Sequence, residues 1–339
     1  VRATYAIRPV AWAETLAVLQ SVSLPNGPTR VRARVVAIDG DRATIEFPAL
    51  DGEHGAEQLL AACVAGEWAD RGDFESCRLV GVAWPDGLPG PALGAERGVA
   101  IGAILKPALG LTPDEAAAVA AELAAGGATF VKDDELMASP SYSPLAERVR
   151  RVSERLPRHV RYAPNVTGPP ETLLSRAESA VAAGAGALMV NGFLQGLGSI
   201  GALRRAELGV PIFVHRVGSS FLRRGGPVSV SAVVLAELTR LLGADYVQVG
   251  SFSPRTFDTD EEVREQIAAC HRDLGVAAAT AVIGGGVGRA NAWEQLARTK
   301  TRNGVMLLLG SAAYEHPDGL RAGVAAAVEA LSGPDTSGS

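Results

Sequence analysis

The sequence predicts an α/β protein in which a smaller α+β domain precedes a (β/α)8 TIM barrel. Two observations carry that expectation. From Val99 onward, short apolar runs alternate with helical patterns eight times, the signature of a parallel barrel. Before Val99 the pattern is β-α-β-β-α-β, the plan of a ferredoxin-like domain. A Pro- and Gly-rich stretch, Trp84 to Gly98, separates the two textures and reads as a linker. The expected division is 1–97, 98–331 and a polar, disordered tail at 332–339.

In order, Ala3 to Pro9 has strand character, and Trp12 to Gln20 has helical spacing with Leu16, Val18 and Leu19 on the candidate buried face. Arg32–Ile38 and Arg42–Phe47 flank Asp39-Gly40, a strong hairpin signal. Glu57 to Trp68 reads as helix and Ser76 to Val82 as strand. The eight barrel strands are expected at 99–106, 128–134, 160–165, 187–191, 211–216, 246–251, 279–284 and 304–311. Helices are expected at 113–125, 171–183, 230–242, 260–274 and 290–298. Thr112-Pro113-Asp114-Glu115 makes a good helix start, with a capping hydroxyl, a first-turn proline and acids.

Totals exclude some functions. The 339 residues carry a net charge of −5 with no basic block, which argues against a nucleic-acid partner. Apolar runs are too short to span a bilayer, and the N-terminus lacks signal-peptide design. Three cysteines without a CxxC pattern fit a reducing, cytoplasmic setting.

The second barrel strand ends in Lys132-Asp133-Asp134-Glu135. A buried parallel strand is a near-continuous apolar run, so this cluster needs a reason. Oxygen ligands from Asp134 and Glu135 suit a hard cation such as Mg²⁺. Lys132 joins them only if CO₂ converts its amine to a carbamate. An acid-rich helix N-terminus is the alternative. The other strand ends favour the metal, because a barrel places its site there: Lys106, Asn165, Asn191, His215-Arg216, Gln248, Gly284-Gly285-Gly286 and Gly310-Ser311. Gly285, Gly286, Gly310 and Ser311 fit an anion site built on backbone N–H groups; tight turns alone would also use these glycines.

Ile104-Leu105-Lys106-Pro107-Ala108-Leu109-Gly110-Leu111, Phe130 to Glu135, and His215-Arg216 resemble the large-subunit RuBisCO superfamily over nearly the whole chain. Ala187 to Asn191 and Gly243-Ala244-Asp245 resemble its RuBisCO-like proteins, form IV, more than the carboxylases. The resemblance implies a homodimer with sites between the barrel of one subunit and the N-terminal domain of the other. It implies a carbamylated Lys132 that binds Mg²⁺ with Asp134 and Glu135, and Lys106 handling protons during enolisation. His215 and Arg216 would contact substrate oxygens and a distal phosphate or acid group.

Departures from the family pattern are Ala108 for a second lysine, Gln248 and Ser219 for histidines, and Arg255 for a mobile-loop lysine. Ser21 to Gly27 replace a phosphate-holding segment, and Glu67 stands for an asparagine. They imply an enzyme that enolises a ketose-like or 3-oxo sugar-acid substrate as an isomerase or tautomerase, without productive CO₂ fixation. A 3-oxo acid decarboxylase uses the same enolate. A non-catalytic binding protein is the competing class. The partner subunit's Glu67 is a second acid/base candidate; a surface carboxylate is its other reading.

Overall fold

Two sheets carry the chain, and the computed structural model describes residues 1–19, 32–48, 55–64 and 66–333. The N-terminal elements are β1 (Arg2–Arg8), α1 (Trp12–Leu19), β2 (Arg34–Asp39), β3 (Arg42–Glu46), α2 (Gly55–Val64) and β4 (Ser76–Ala83). Their sheet order is β4-β1-β3-β2, the ferredoxin-like plan. Alternation sets its inner face: Ala3, Tyr5 and Ile7 of β1, Ala43 and Ile45 of β3, and Cys77 and Leu79 of β4 are buried. The hairpin turns at Asp39-Gly40, where Asp39 pairs with Arg42.

Helix α1 buries Trp12, Ala13, Leu16 and Ala17. Leu16 is inward as expected, but Val18 is 67% exposed and Leu19 37%. Trp12 fixes the face by packing on Phe74, ring centroids 4.5 Å apart, so Val18 turns outward. The expected Glu57–Trp68 helix ends at Val64, and a separate 3-10 turn covers Glu67–Asp70.

Eight parallel strands form the second sheet: β5 (Val99–Ile104), β6 (Phe130–Lys132), β7 (Arg161–Ala163), β8 (Leu188–Val190), β9 (Ile212–Val214), β11 (Tyr246–Val249), β12 (Thr280–Gly284) and β13 (Val305–Leu309). Met189 closes it: its N–H donates to Pro164 O and its carbonyl accepts from Val166 N–H, both at 2.9 Å. Phe130, Phe213, Tyr246, Met306 and Leu308 fill the interior, with Phe130 and Tyr246 rings 4.8 Å apart. A larger apolar layer lies between the strands and the surrounding helices.

Helices α3 (Pro113–Ala125), α5 (Leu173–Ala182), α9 (Ala232–Leu241), α10 (Asp260–His271) and α11 (Ala292–Arg298) stand where helices were expected. Thr112 and Glu115 form a reciprocal capping box on α3.

Two differences have physical causes. Helix α4 (Leu145–Arg155) escaped the sequence reading because only Leu145, Val149 and Val152 are apolar and buried among its charges. The helix expected from Val230 starts at Ala232, because β10 (Val228–Val230) pairs parallel with β4 instead. The barrel half of the sequence thus lends the N-terminal sheet a strand. Short helices α6 (Gly192–Gln195), α7 (Gly198–Arg205), α8 (Ser219–Arg224) and α12 (Ser311–Tyr314), with α13 (Leu320–Ala330), complete the ring.

The segment Ser21 to Gly27 and the expected tail from residue 334 lie outside the described residues. Among the described residues no helix is long and apolar enough to cross a membrane. All three cysteines are buried and free.

Candidate active site

The carboxyl end of β6 builds the site, and its four charged residues divide into two tasks. Asp133 turns away and is wholly enclosed. Its oxygens accept from Tyr162 Oη at 2.6 Å, Arg148 at 2.9 Å and the Asn165 N–H at 2.9 Å. It clamps the strand end against α4 and β7. Lys132, Asp134 and Glu135 are left for the barrel mouth.

Lys132 is fully buried and donates to the Asp133 carbonyl at 2.7 Å. Burial pushes its ammonium down to about 8, against the opposing fields of Glu135, Asp134 and Asp133; Lys106 adds to the lowering. The side chain of Asp134, 1% exposed, is ion-paired with Lys106 Nζ. Lys106 reaches it from the end of β5, where Tyr314 of α12 holds the backbone: the Lys106 N–H donates to Tyr314 Oη at 2.9 Å, and that hydroxyl donates to Ile104 O at 2.8 Å.

Glu135 Oε2 lies 3.6 Å from His215 Nε2. The Val217 N–H donates to His215 Nδ1 at 3.1 Å, so the imidazole carries its proton on Nε2, facing Glu135. Burial, then the charges of Lys132, Arg216 and Lys106, hold His215 well below its ordinary range and therefore neutral.

A cavity of about 260 Å³ opens here, lined among others by Lys106, Glu135, His215, Gln248, Gly285, Gly286, Gly310 and Ser311. Gly285 and Gly286 have φ of +118° and +77°, the region that glycine enters without strain. The Arg255 stem crosses Gly286: a Cβ there would stand 3.0 Å from Arg255 Cδ.

Three expected contacts fall elsewhere. Asn165 and Asn191 give their amide N–H groups to the Glu135 carbonyl, at 3.0 and 2.9 Å. They shape the loop that presents Glu135, and neither lines the cavity. Arg216 is also outside it; its guanidinium pairs with Asp258 at 2.9 Å. The Glu67 backbone opens the 3-10 turn, while its side chain lies outside the described residues.

Sequence reading missed Arg148, Tyr162, Tyr314 and Asp258. A buried aspartate demands partners, so the Asp133 position could have prompted a search for Arg148. No local pattern marks the other three.

Comparison with known proteins agrees with this geometry. The family model for the ribulose bisphosphate carboxylase large chain, catalytic domain, matches residues 91–335. A 3-oxo-isoapionate-4-phosphate decarboxylase from Rhizobium rhizogenes is 30% identical over 295 residues, 80% of this chain and 70% of the relative. A 2,3-diketo-5-methylthiopentyl-1-phosphate enolase from Microcystis aeruginosa is 32% identical, covering 85% and 77%. The crystal structure of a rubisco-like protein from Burkholderia fungorum superposes with a TM-score of 0.86 at 26% identity, over 98% of this chain and 93% of that one. The chain belongs to the RuBisCO large-chain family, among its RuBisCO-like enzymes.

Proposed function

We propose that this protein catalyses Mg²⁺-dependent enolisation of a ketose-like or 3-oxo sugar-acid substrate, as an isomerase or tautomerase and not as a productive CO₂-fixing carboxylase. One observation carries the reading: Lys132, Asp134 and Glu135 share one strand end, with the Lys106 amine on Asp134.

The residues fit a hard cation. Asp134 already neutralises a positive group, the Lys106 ammonium. Asp134 and Glu135 offer two carboxylates at this strand end, and a CO₂-derived carbamate on Lys132 would add a third oxygen ligand suited to Mg²⁺. Bound Mg²⁺ supplies Lewis-acid stabilisation of negative charge on the substrate oxygen.

The chain's own groups do the rest. Lys106 stands on the cavity wall with its amine directed at Asp134, placed to take or return a proton. Neutral His215 offers an Nε2–H to a substrate oxygen. The partner subunit's Glu67 is the second acid/base in a homodimer with sites at the subunit interface. The Gly285–Gly286 and Gly310–Ser311 rim receives the anionic group of a small-molecule substrate. Buried free thiols suit a reducing cytoplasm.

Decarboxylation of a 3-oxo acid is the second reading, because it passes through the same enolate and relatives at 30% identity carry a decarboxylase name. Solvent deuterium exchange separates the outcomes. The protein with Mg²⁺ and bicarbonate should exchange the α-proton of a ketose phosphate, lose exchange in EDTA and regain it with Mg²⁺. CO₂ release from a 3-oxo sugar acid would mark the decarboxylase. Neither signal with any such substrate would refute both.

The rim has its own test. Gly286→Ala puts a Cβ 2.9 Å from Ser253 Oγ at a φ of +77°, a strain of about 1–3 kcal/mol. Affinity for a phosphate ester should fall while Mg²⁺ binding holds; an unchanged affinity in calorimetry would remove the rim from the site.

A further inference from the structure

Lys106 has a long side chain with 31% of its surface exposed, yet its amine stands on Asp134. A flexible four-carbon stem does not fix that position by itself, so the backbone beneath it has to be held. The end of β5 is a weak place for this. Lys106 leads straight into Pro107, which has no N–H to donate, and no regular element follows until α3 opens at Pro113.

Strand β6 secures one edge of this end: the Leu105 N–H donates to Lys132 O at 2.9 Å. Strand β13 does not secure the other. Its register with β5 stops at Leu309 opposite Ala103, and the chain then turns through Gly310 into α12. Tyr314, the last residue of α12, takes over where the strand leaves off. Its Oη accepts from the Lys106 N–H at 2.9 Å and donates to Ile104 O at 2.8 Å. One hydroxyl thus stands in for the next residue of the ladder. Burial pushes this phenol up, the Asp134 charge adds to the rise and the Lys106 N–H opposes it, so the hydroxyl keeps the proton it donates.

Helix α12 is a firm support. A Cβ on Gly323 of α13 would collide with the Ala313 carbonyl, and one on Gly288 would stand 2.6 Å from Ala312 Cβ. Both glycines let their segments close directly on the helix. The hydroxyl is therefore anchored from outside the strand that it extends.

We propose that Tyr314 is a positioning residue for proton transfer: its hydroxyl prolongs the β13 edge and holds Ile104 to Lys106 so that the Lys106 amine faces Asp134 and the cavity. This rests on reading Lys106 as the proton carrier.

Two measurements on the full-length protein test it. Selective ¹⁵N-lysine labelling reports on the amides of Lys106, Lys132 and Lys300, the lysines of the sequence. The wild-type Lys106 amide should exchange with D₂O at least about tenfold more slowly than a free peptide group, the worth of one hydrogen bond. Tyr314→Phe should remove that protection and leave the Lys132 amide unchanged. With Mg²⁺ and bicarbonate, the same variant should lower kcat for α-proton exchange of a ketose phosphate, xylulose 5-phosphate first, by about ten- to a hundredfold, as for a misplaced reacting group. KM and bicarbonate-dependent Mn²⁺ binding should stay nearly unchanged. Tyr142→Phe is the control, because Tyr142 Oη accepts from the Gly110 N–H at 2.8 Å, farther along the same loop; it should keep the wild-type kcat.

An unprotected Lys106 amide in the wild type overturns the proposal, even where the variant fails to fold. So does a folded Tyr314→Phe protein with the wild-type kcat, or one whose KM or Mn²⁺ binding worsens in step with kcat. An equal loss in Tyr142→Phe also overturns it, since any loosening of the loop would then suffice. A wild type inert towards ketose phosphates and 3-oxo sugar acids alike refutes enolisation, and this proposal with it. Exchange that stops in Lys106→Ala but persists in Tyr314→Phe refutes this proposal alone.

Discussion

Lys132→Ala should abolish Mg²⁺-dependent α-proton exchange, a loss of about a thousandfold or more, by analogy with removal of one electrostatic stabiliser from a reacting centre. Lys132 has no exposed surface, and among the described residues its ammonium donates one hydrogen bond, to the Asp133 carbonyl. Replacing it relieves a buried ionisable group and leaves the Asp133 clamp intact. The Tm should therefore move little while exchange disappears. Two accompanying measurements identify the cause. Carbon-13 bicarbonate should give a carbamate resonance with the wild type and none with the variant. Mn²⁺ used as a magnetic probe should bind the wild type only when bicarbonate is present. Lys106→Ala should also stop exchange but keep both signals, because Lys106 acts on the proton rather than on the cation. If Lys132→Ala retains exchange, the strand-end site is not the catalytic one.

The same strand end shows what was legible in the sequence and what was not. Apolar runs ending in polar residues revealed all eight barrel strands, because burial on both faces forces that composition. Asp39-Gly40 fixed the hairpin for the same local reason. Lys106, Glu135, His215, Gln248, Gly285, Gly286, Gly310 and Ser311, each read from a strand end, do line one cavity. The missing knowledge concerns pairing across the fold. Arg216 pairs with Asp258, 42 positions later, and no periodicity reports that. Asn165 and Asn191 looked like substrate contacts, yet both hold the Glu135 carbonyl, a backbone partner invisible in any motif. Helix α4 hid because its charges diluted its apolar stripe, although one of those charges, Arg148, is completely buried.

Arg148→Ala should be the most destabilising of these substitutions. Arg148 donates to Asp133 at 2.9 Å, to Ser143 O at 2.7 Å and to Ala138 O at 2.6 Å. Truncation leaves an enclosed carboxylate short of its counter-charge and two carbonyls short of a donor. Removing one partner of a buried pair costs about 3–5 kcal/mol, enough to lower Tm by on the order of 10 °C. Asp133→Asn should cost less, because the amide oxygen in the Oδ2 position still accepts from the Asn165 N–H and Arg148, while its NH₂ faces the Tyr162 hydroxyl, which can turn to accept. The double variant should cost clearly less than the sum of the two single changes, since the second change no longer strands a charge. Activity should fall with the pairing as well, even at temperatures where the variant stays folded: Asp133 lies between Lys132 and Asp134, so slack in the clamp displaces both. Strict additivity in thermal melts, or full activity with a loosened clamp, would show that Arg148 merely fills space between α4 and the barrel.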